Sequence, residues 1–178
     1  EDPLEFLHAH KLSVVDQPVE GIDTHSYEEA LKNALREAPD VIMIGEIRDR
    51  NTMKQAIAYA ETGHLCLSTL HANNANQAME RVINFFPEEA HRQLLVDLSL
   101  NLAGVVSQRL IPGLHEKLVP AVEVMLNSSY ISDLIAKGEF SGIKEAMARS
   151  TEIGMCTSDQ ALYQPYTEGR ISLAEALH

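Results

Sequence analysis

The chain contains no tryptophan, and aromatic residues make up only 5% of its 178 positions. A core built from it must therefore be mainly aliphatic. Cysteine occurs twice, at Cys66 and Cys156, with no C-x-x-C spacing. Two isolated thiols predict reduced, buried residues in a cytosolic protein rather than a disulfide framework. No apolar run approaches the roughly 20 residues that a membrane-spanning helix needs. Basic residues are scarce, with 14 Lys and Arg against 26 Asp and Glu, a formal net charge of -12. Such a surface repels nucleic-acid phosphates at long range, so no nucleic-acid partner is expected. It does not exclude a nucleotide, because nucleotide sites neutralise phosphate locally. The phosphate-loop pattern G-x-x-x-x-G-K-[ST] is missing, and the stretch from Gly138 to Lys144 has the wrong spacing for it. G-x-S-x-G and H-E-x-x-H are missing too, which leaves serine hydrolase and zinc protease chemistry without support. The opening Glu1-Asp2-Pro3-Leu4-Glu5 has neither an initiator Met nor the character of a signal peptide, so the chain is expected to be a piece of a longer one.

What is present reads as one α/β domain, with room for a small helical appendage. The segment Leu12 to Val19 is β-rich and predicts a short strand or hairpin. Ser26-Tyr27-Glu28-Glu29 forms a capping box, with Ala30, Leu31, Ala34 and Leu35 as the apolar face of the helix it opens. Pro39 ends that helix. Val41-Ile42-Met43-Ile44 is a continuous apolar run and predicts a buried parallel strand. Asn51 or Thr52 is expected to cap the next helix, which carries Ala56, Ile57 and Ala60 on one side and stops at Gly63. His64 to Leu70 predicts a second strand. This order implies a parallel sheet with helices on its faces. Beyond Asn73 helices are predicted near 75–85, 88–106, 128–137, 141–149 and 157–168, with 108–111 and 119–125 as edge strands. A change of character near residue 127 divides the chain into an α/β part, 1–126, and a helical C-terminal subregion, 127–178.

Three segments carry candidate chemistry. In Asp40 to Asp49 an apolar strand ends in Gly45 and a carboxylate, Glu46, follows at once. Ligand sites of open α/β sheets lie at the carboxyl ends of strands, where a carboxylate orients water or helps to hold Mg²⁺ beside a phosphate chain. Gly45 lets the backbone approach closely. The plain alternative is that Glu46 begins a solvated loop. In Thr62 to His71 the strand ends in Thr69 and His71, and adjacent parallel strands would bring His71 near Glu46. His64 reads more simply as a structural histidine. The odd separation of His64 and His71 sends them to opposite faces of a regular strand, which argues against a zinc site. At the start, Glu1, Asp2 and Glu5 either bind a cation or form a solvated acidic end. Arg36, Arg48, Arg50 and Arg81 are candidates for phosphate or intersubunit contacts, or are ordinary surface charges.

Several blocks in fixed order make the chain similar to a known superfamily over nearly its whole length. They are Glu-Asp-Pro-Leu-Glu-Phe at 1–6, Ala-Leu-Arg-Glu-Ala-Pro-Asp-Val-Ile-Met-Ile-Gly-Glu-Ile-Arg-Asp at 34–49, Glu-Thr-Gly-His-Leu at 61–65, Ser-Thr-Leu-His-Ala-Asn-Asn-Ala at 68–75, Arg-Val-Ile-Asn-Phe-Phe-Pro at 81–87 and Ser-Gln-Arg-Leu at 107–110. Together they resemble the secretion and type IV pilus ATPases, in the retraction branch of the PilT/PilU kind and nearest its accessory PilU members. Extension and secretion members carry a four-cysteine zinc module after Ser-Gln-Arg-Leu. Here Ile111-Pro112-Gly113 runs straight on to the Val119 strand without cysteine.

The resemblance implies a partial RecA-like core, with the phosphate loop and an N-terminal domain upstream of residue 1. It implies ATP and Mg²⁺ as cofactors. Glu1 and Asp2 stand in the aspartate box near metal and terminal phosphate, and Glu46 stands as the Walker B glutamate that activates water. Thr62, Gly63, His64, Thr69 and His71 fall in the histidine box, with Arg36 and Arg48 as further nucleotide contacts. Residues 127–136 occupy the place of the branch's Ala-Ile-Arg-Asn-Leu-Ile-Arg-Glu motif. They keep Asp133-Leu134-Ile135 but not its arginines. For the whole protein the resemblance implies a homo-hexamer on the cytoplasmic face of the bacterial inner membrane. A paralogous retraction ATPase and an inner-membrane platform protein would be its partners, and its membrane association would be peripheral, through protein. A noncatalytic accessory subunit and an extension or secretion ATPase are the alternatives.

Overall fold

The computed structural model describes residues 6–19, 21–115 and 117–177. They form two compact units, the first ending at Leu70 and the second beginning at His71.

In the first unit, Leu12 to Val19 forms no strand. Leu12 and Val14 are exposed. β-propensity reflects packing against neighbours, and a lone extended segment has none to pay its ordering cost. Helix α1 spans Tyr27–Ala34, and the Ser26 hydroxyl accepts from the Glu29 amide at 3.2 Å. Only this half of the expected capping box is made among the described residues. A single 3₁₀ turn, Leu35–Glu37, follows, and Ala38 takes the left-handed conformation, φ 48°. Pro39 disfavours right-handed helix in the residue before it, so the chain turns there.

Strand β1, Val41–Ile44, leads to helix α2, Arg50–Glu61, and then to strand β2, Leu65–Ser68. The two strands pair in parallel, Val41 with Leu65 through Ile44 with Ser68. Asp49 caps α2, its carboxylate accepting from the Thr52 amide at 2.8 Å. Thr52 is buried inside the first turn and Asn51 is exposed on it, so neither of the two expected caps serves. The buried stripe of α2 is Thr52, Met53, Ala56 and Tyr59, with Ile57 and Ala60 only half-buried. Tyr59 is fully buried and donates its hydroxyl to the Leu31 carbonyl, which staples α2 to α1. Gly63 ends the helix at φ 91°, a conformation that suits glycine. Strand β1 is buried on one face only. Ile42 and Ile44 face the core, while Val41, Met43, Leu65 and Leu67 remain about half exposed in this chain.

The second unit begins with helices α3, Ala75–Asn84, and α4, His91–Asn101. The helix expected over 88–106 stops at Asn101, because Gly104-Val105-Val106 enters a strand instead. Strands β3, Gly104–Pro112, and β4, Leu118–Leu126, form an antiparallel hairpin of their own rather than edges of the parallel sheet. Residues 113–117 connect them, which leaves no room for an inserted module. Along β4 inward residues alternate with outward ones. Ile111, Val119 and Ala121 of the hairpin pack with Leu162 and Ile171. After β4 come helices α5, Ser129–Lys137, α6, Ile143–Ala148, α7, Ser158–Thr167, and α8, Leu173–Ala176. Helix α5 buries Ile131, Leu134 and Ile135 and packs on α4. Helix α7 opens with a complete capping box between Thr157 and Gln160. Both cysteines are free but half-buried rather than buried, and desolvation pushes each thiol above its ordinary range.

Candidate functional site

Two parallel strands define a carboxyl edge. Gly45 and Glu46 leave it from β1, and Thr69 leaves it from β2. The Ile47 amide donates to the Thr69 carbonyl at 3.0 Å, and the Thr69 hydroxyl donates to the Gly45 carbonyl. These cross-links hold the backbone on both sides of Glu46. Ile47 is buried, which anchors the turn, and the Glu46 side chain is 23% exposed. Arg48 Nε donates to Glu46 Oε2 at 2.7 Å. Nothing stands within 4 Å of where a Cβ of residue 45 would lie. No close backbone approach within the described residues demands glycine there.

The predicted site residues do not all gather at this edge. Thr62, Gly63 and His64 precede β2 and lie at its amino end, where the Leu65 amide donates to the Asp40 carbonyl at 3.3 Å. A four-residue strand separates the two ends by about 10 Å. At the amino end Thr62 Oγ1 lies 2.9 Å from the Tyr59 carbonyl and 2.9 Å from His64 Nδ1. A hydroxyl has one proton. If it goes to the carbonyl, His64 Nδ1 is the donor and Nε2 is left to meet a ligand. Arg36 is exposed, in the turn that leads into the amino end of β1. His71 opens the second unit with an exposed side chain, and its carbonyl accepts from Arg81 Nη1 at 3.2 Å. Glu1 and Asp2 lie outside the described residues. Among those described, no three His, Cys, Asp or Glu come together to hold a metal.

Sequence reasoning missed three features. Asp49 is the true cap of the helix beyond Glu46. Arg48 and Glu46 are paired through a two-residue spacing. Glu123 occupies an inward position of β4 and is buried. A charged residue breaking the alternation from Val119 to Met125 was the available signal for the last.

A glutamate held at the carboxyl edge of a parallel β–α–β unit stands where open α/β sheets bind their ligands. The comparison with known families agrees, since the family described as Type II/IV secretion system protein matches residues 1–177. The chain belongs to that family. It is 58% identical over 178 residues to the type IV pilus ATPase PilU of Pseudomonas aeruginosa, which covers 99% of this chain and 47% of that protein. It is 38% identical over 176 residues to the retraction ATPase PilT of the same organism, covering 99% of this chain and 51% of the relative. A solved structure of the pilus retraction motor PilT with bound ADP superposes with a TM-score of 0.90 at 39% identity, over 99% of this chain and 50% of that one. The chain thus spans about half the length of the relatives it matches.

Proposed function

We propose that this chain is the later part of the ATPase core of a type IV pilus retraction motor, coupling ATP hydrolysis to pilus disassembly and twitching motility. The observation that supports it most is the braced position of Glu46 at the carboxyl edge, in a chain similar over its whole length to PilU and PilT. In this reading Glu46 orients the attacking water and accepts its proton, as a carboxylate in that place is suited to do. Arg48 holds the carboxylate in place before nucleotide arrives. Thr69 fixes the loop through Gly45. His71 contacts the nucleotide. Thr62, Gly63, His64 and Arg36 sit at the amino edge of the strands, and we assign them to a nucleotide approaching from a neighbouring subunit of a homo-hexamer. We assign residues 1–126 to the later part of the ATPase core and residues 127–178 to a helical C-terminal subregion.

The open space over Gly45, the Glu46 carboxylate and the Thr69 hydroxyl fit the hydrolysis side of a magnesium nucleotide. Glu1 and Asp2 are the carboxylates we assign to the metal, and Glu46 stays free of it to act on water. Bound Mg²⁺ neutralises charge on the phosphoryl oxygens. The row of backbone amides that cradles the β- and γ-phosphates is not supplied by this sequence, which has no phosphate loop. These 178 residues by themselves therefore bind MgATP weakly and do not hydrolyse it. The whole protein acts at the cytoplasmic face of the inner membrane, beside a paralogous retraction ATPase and a membrane platform protein. No helix of the described residues is long and apolar enough to cross a membrane.

One observation favours a second reading, a noncatalytic accessory subunit. Helix α5 carries Ser132 and Ala136 where the retraction branch carries arginine on either side of the kept Asp133-Leu134-Ile135 core. Calorimetric titration with MgATP tests the first reading. The full-length natural protein binds stoichiometrically, and the 178-residue chain binds at least about a hundredfold more weakly, since charge-assisted phosphate contacts are each worth roughly 1.5–3 kcal/mol. Stoichiometric binding by the 178 residues would overturn the assignment of the phosphate cradle to sequence upstream. A full-length protein that does not bind at all would favour the accessory reading.

A further inference from the structure

Among the described residues, Glu123 is the one charged side chain that is buried, at 7% exposure. It lies on the inward face of β4 opposite Ser107 of β3. An aliphatic residue there would continue the Val119–Ala121–Met125 pattern at no desolvation cost, so the carboxylate has to be explained by what it holds. One oxygen, Oε1, accepts from the Ala75 amide at 2.7 Å. The other, Oε2, accepts from the Ser158 amide at 2.9 Å and from the Ser158 hydroxyl. Ala75 is the first residue of α3 and Ser158 the first residue of α7. First-turn amides have no partner inside their own helix, and the positive end of the helix favours a carboxylate. The helix caps do not need Glu123. Asn74 already accepts from the Gln77 amide at 2.9 Å, and Thr157 accepts from the Gln160 amide at 3.3 Å. Glu123 takes one further first-turn amide from each of two helices whose first residues are 83 positions apart in sequence, 158 minus 75. Beside it, Lys144 of α6 pairs with Asp159 of α7 at 2.7 Å.

We infer that Glu123 is a positioning residue that locks the segment His71–Asn74, which runs directly into α3, to the start of α7. A displacement of that segment is then carried to the start of α7 through this carboxylate, next to the backbone bridge that β4 makes between Val124 and Cys156. The inference rests on the reading above in one respect, that His71 meets the nucleotide.

Amide hydrogen exchange of the full-length natural protein, with and without MgADP, tests it. In the wild type MgADP slows exchange in the peptide containing Ala75 and also in the peptide containing Ser158. Glu123→Gln keeps the shape but replaces one acceptor oxygen with a donor, so an amide facing it loses its partner. That variant exchanges roughly tenfold faster at Ala75 or Ser158 without nucleotide. It keeps the MgADP response at Ala75 and loses it at Ser158. Ser158→Ala is the milder change, since it removes only the hydroxyl donor and keeps the amide bond, and it shows a reduced response at Ser158. A Ser158 peptide that responds to MgADP equally in wild type and variants would overturn the inference and leave Glu123 a purely structural residue. So would a wild type in which nucleotide binds but the Ser158 peptide does not respond. Wild-type protein that fails to bind MgADP by titration would instead overturn the nucleotide reading, and this inference with it.

Discussion

Asp49 and Tyr59 show how single side chains set the geometry around Glu46. Asp49 ends the loop that begins at Glu46, and its bond from the Thr52 amide pulls its carboxyl below the ordinary range. The stability this contributes is present above the unfolded carboxylate pKa and is lost as pH falls through the depressed folded value. Asp49→Ala is expected to cost about 1 kcal/mol, the usual loss for an N-cap, read as a lower denaturation midpoint. Tyr59→Phe keeps the packing but leaves the buried Leu31 carbonyl without this donor, a loss of roughly 1–3 kcal/mol. An unchanged midpoint in urea would show that the staple between α1 and α2 contributes nothing. The thiols behave oppositely to Asp49. Burial raises Cys66, and burial followed by the nearby Glu123 raises Cys156. The folded protein holds those protons to higher pH than the unfolded chain does, so stability falls as pH rises through the ordinary thiol range. Alkylation with iodoacetamide at neutral pH is expected to be slower than for a free cysteine and to accelerate only above that range. Rapid labelling of either at pH 7 would contradict the assignment.

At the scale of elements, what could be read in advance depended on whether one pattern spoke alone. Val41 to Ile44 is a short apolar run between a proline turn and a cap, and only a strand fits it. The end of α4 was hidden because Leu94, Leu98 and Leu102 keep a helical period that Val105 and Val106 extend in sequence. Only the hairpin partner, Leu118–Leu126, pulls residues from Gly104 onward into a strand. The cap of α2 was hidden because Asp49, Asn51 and Thr52 are all competent caps, and burial of Thr52 decides among them. The candidate site divided in the same way. Glu46 and Thr69 were legible from the strand ends that precede them. The histidine box was read as one site, yet β2 runs through its middle and carries Thr62 and His64 to one end and Thr69 to the other. Pairing of Arg48 with Glu46 depends on a side-chain torsion that no sequence pattern reports.

Under the proposed function, the molecule as a whole would supply parts of a motor that respond to a nucleotide more than the parts that hold one. Its first unit supplies a braced carboxylate and a second polar cluster at the other strand end. Its second unit supplies a hairpin and helices knitted together at a buried carboxylate. Half of each matched relative lies outside the chain, and the phosphate-binding loop is assigned there. Activation of water by Glu46 for ATP hydrolysis is checked by steady-state MgATP turnover of the full-length natural protein beside its Glu46→Gln variant. The expected outcome is turnover in the first and a loss of about a hundredfold or more in the second, with MgATP binding retained. Equal turnover in the two proteins would contradict it.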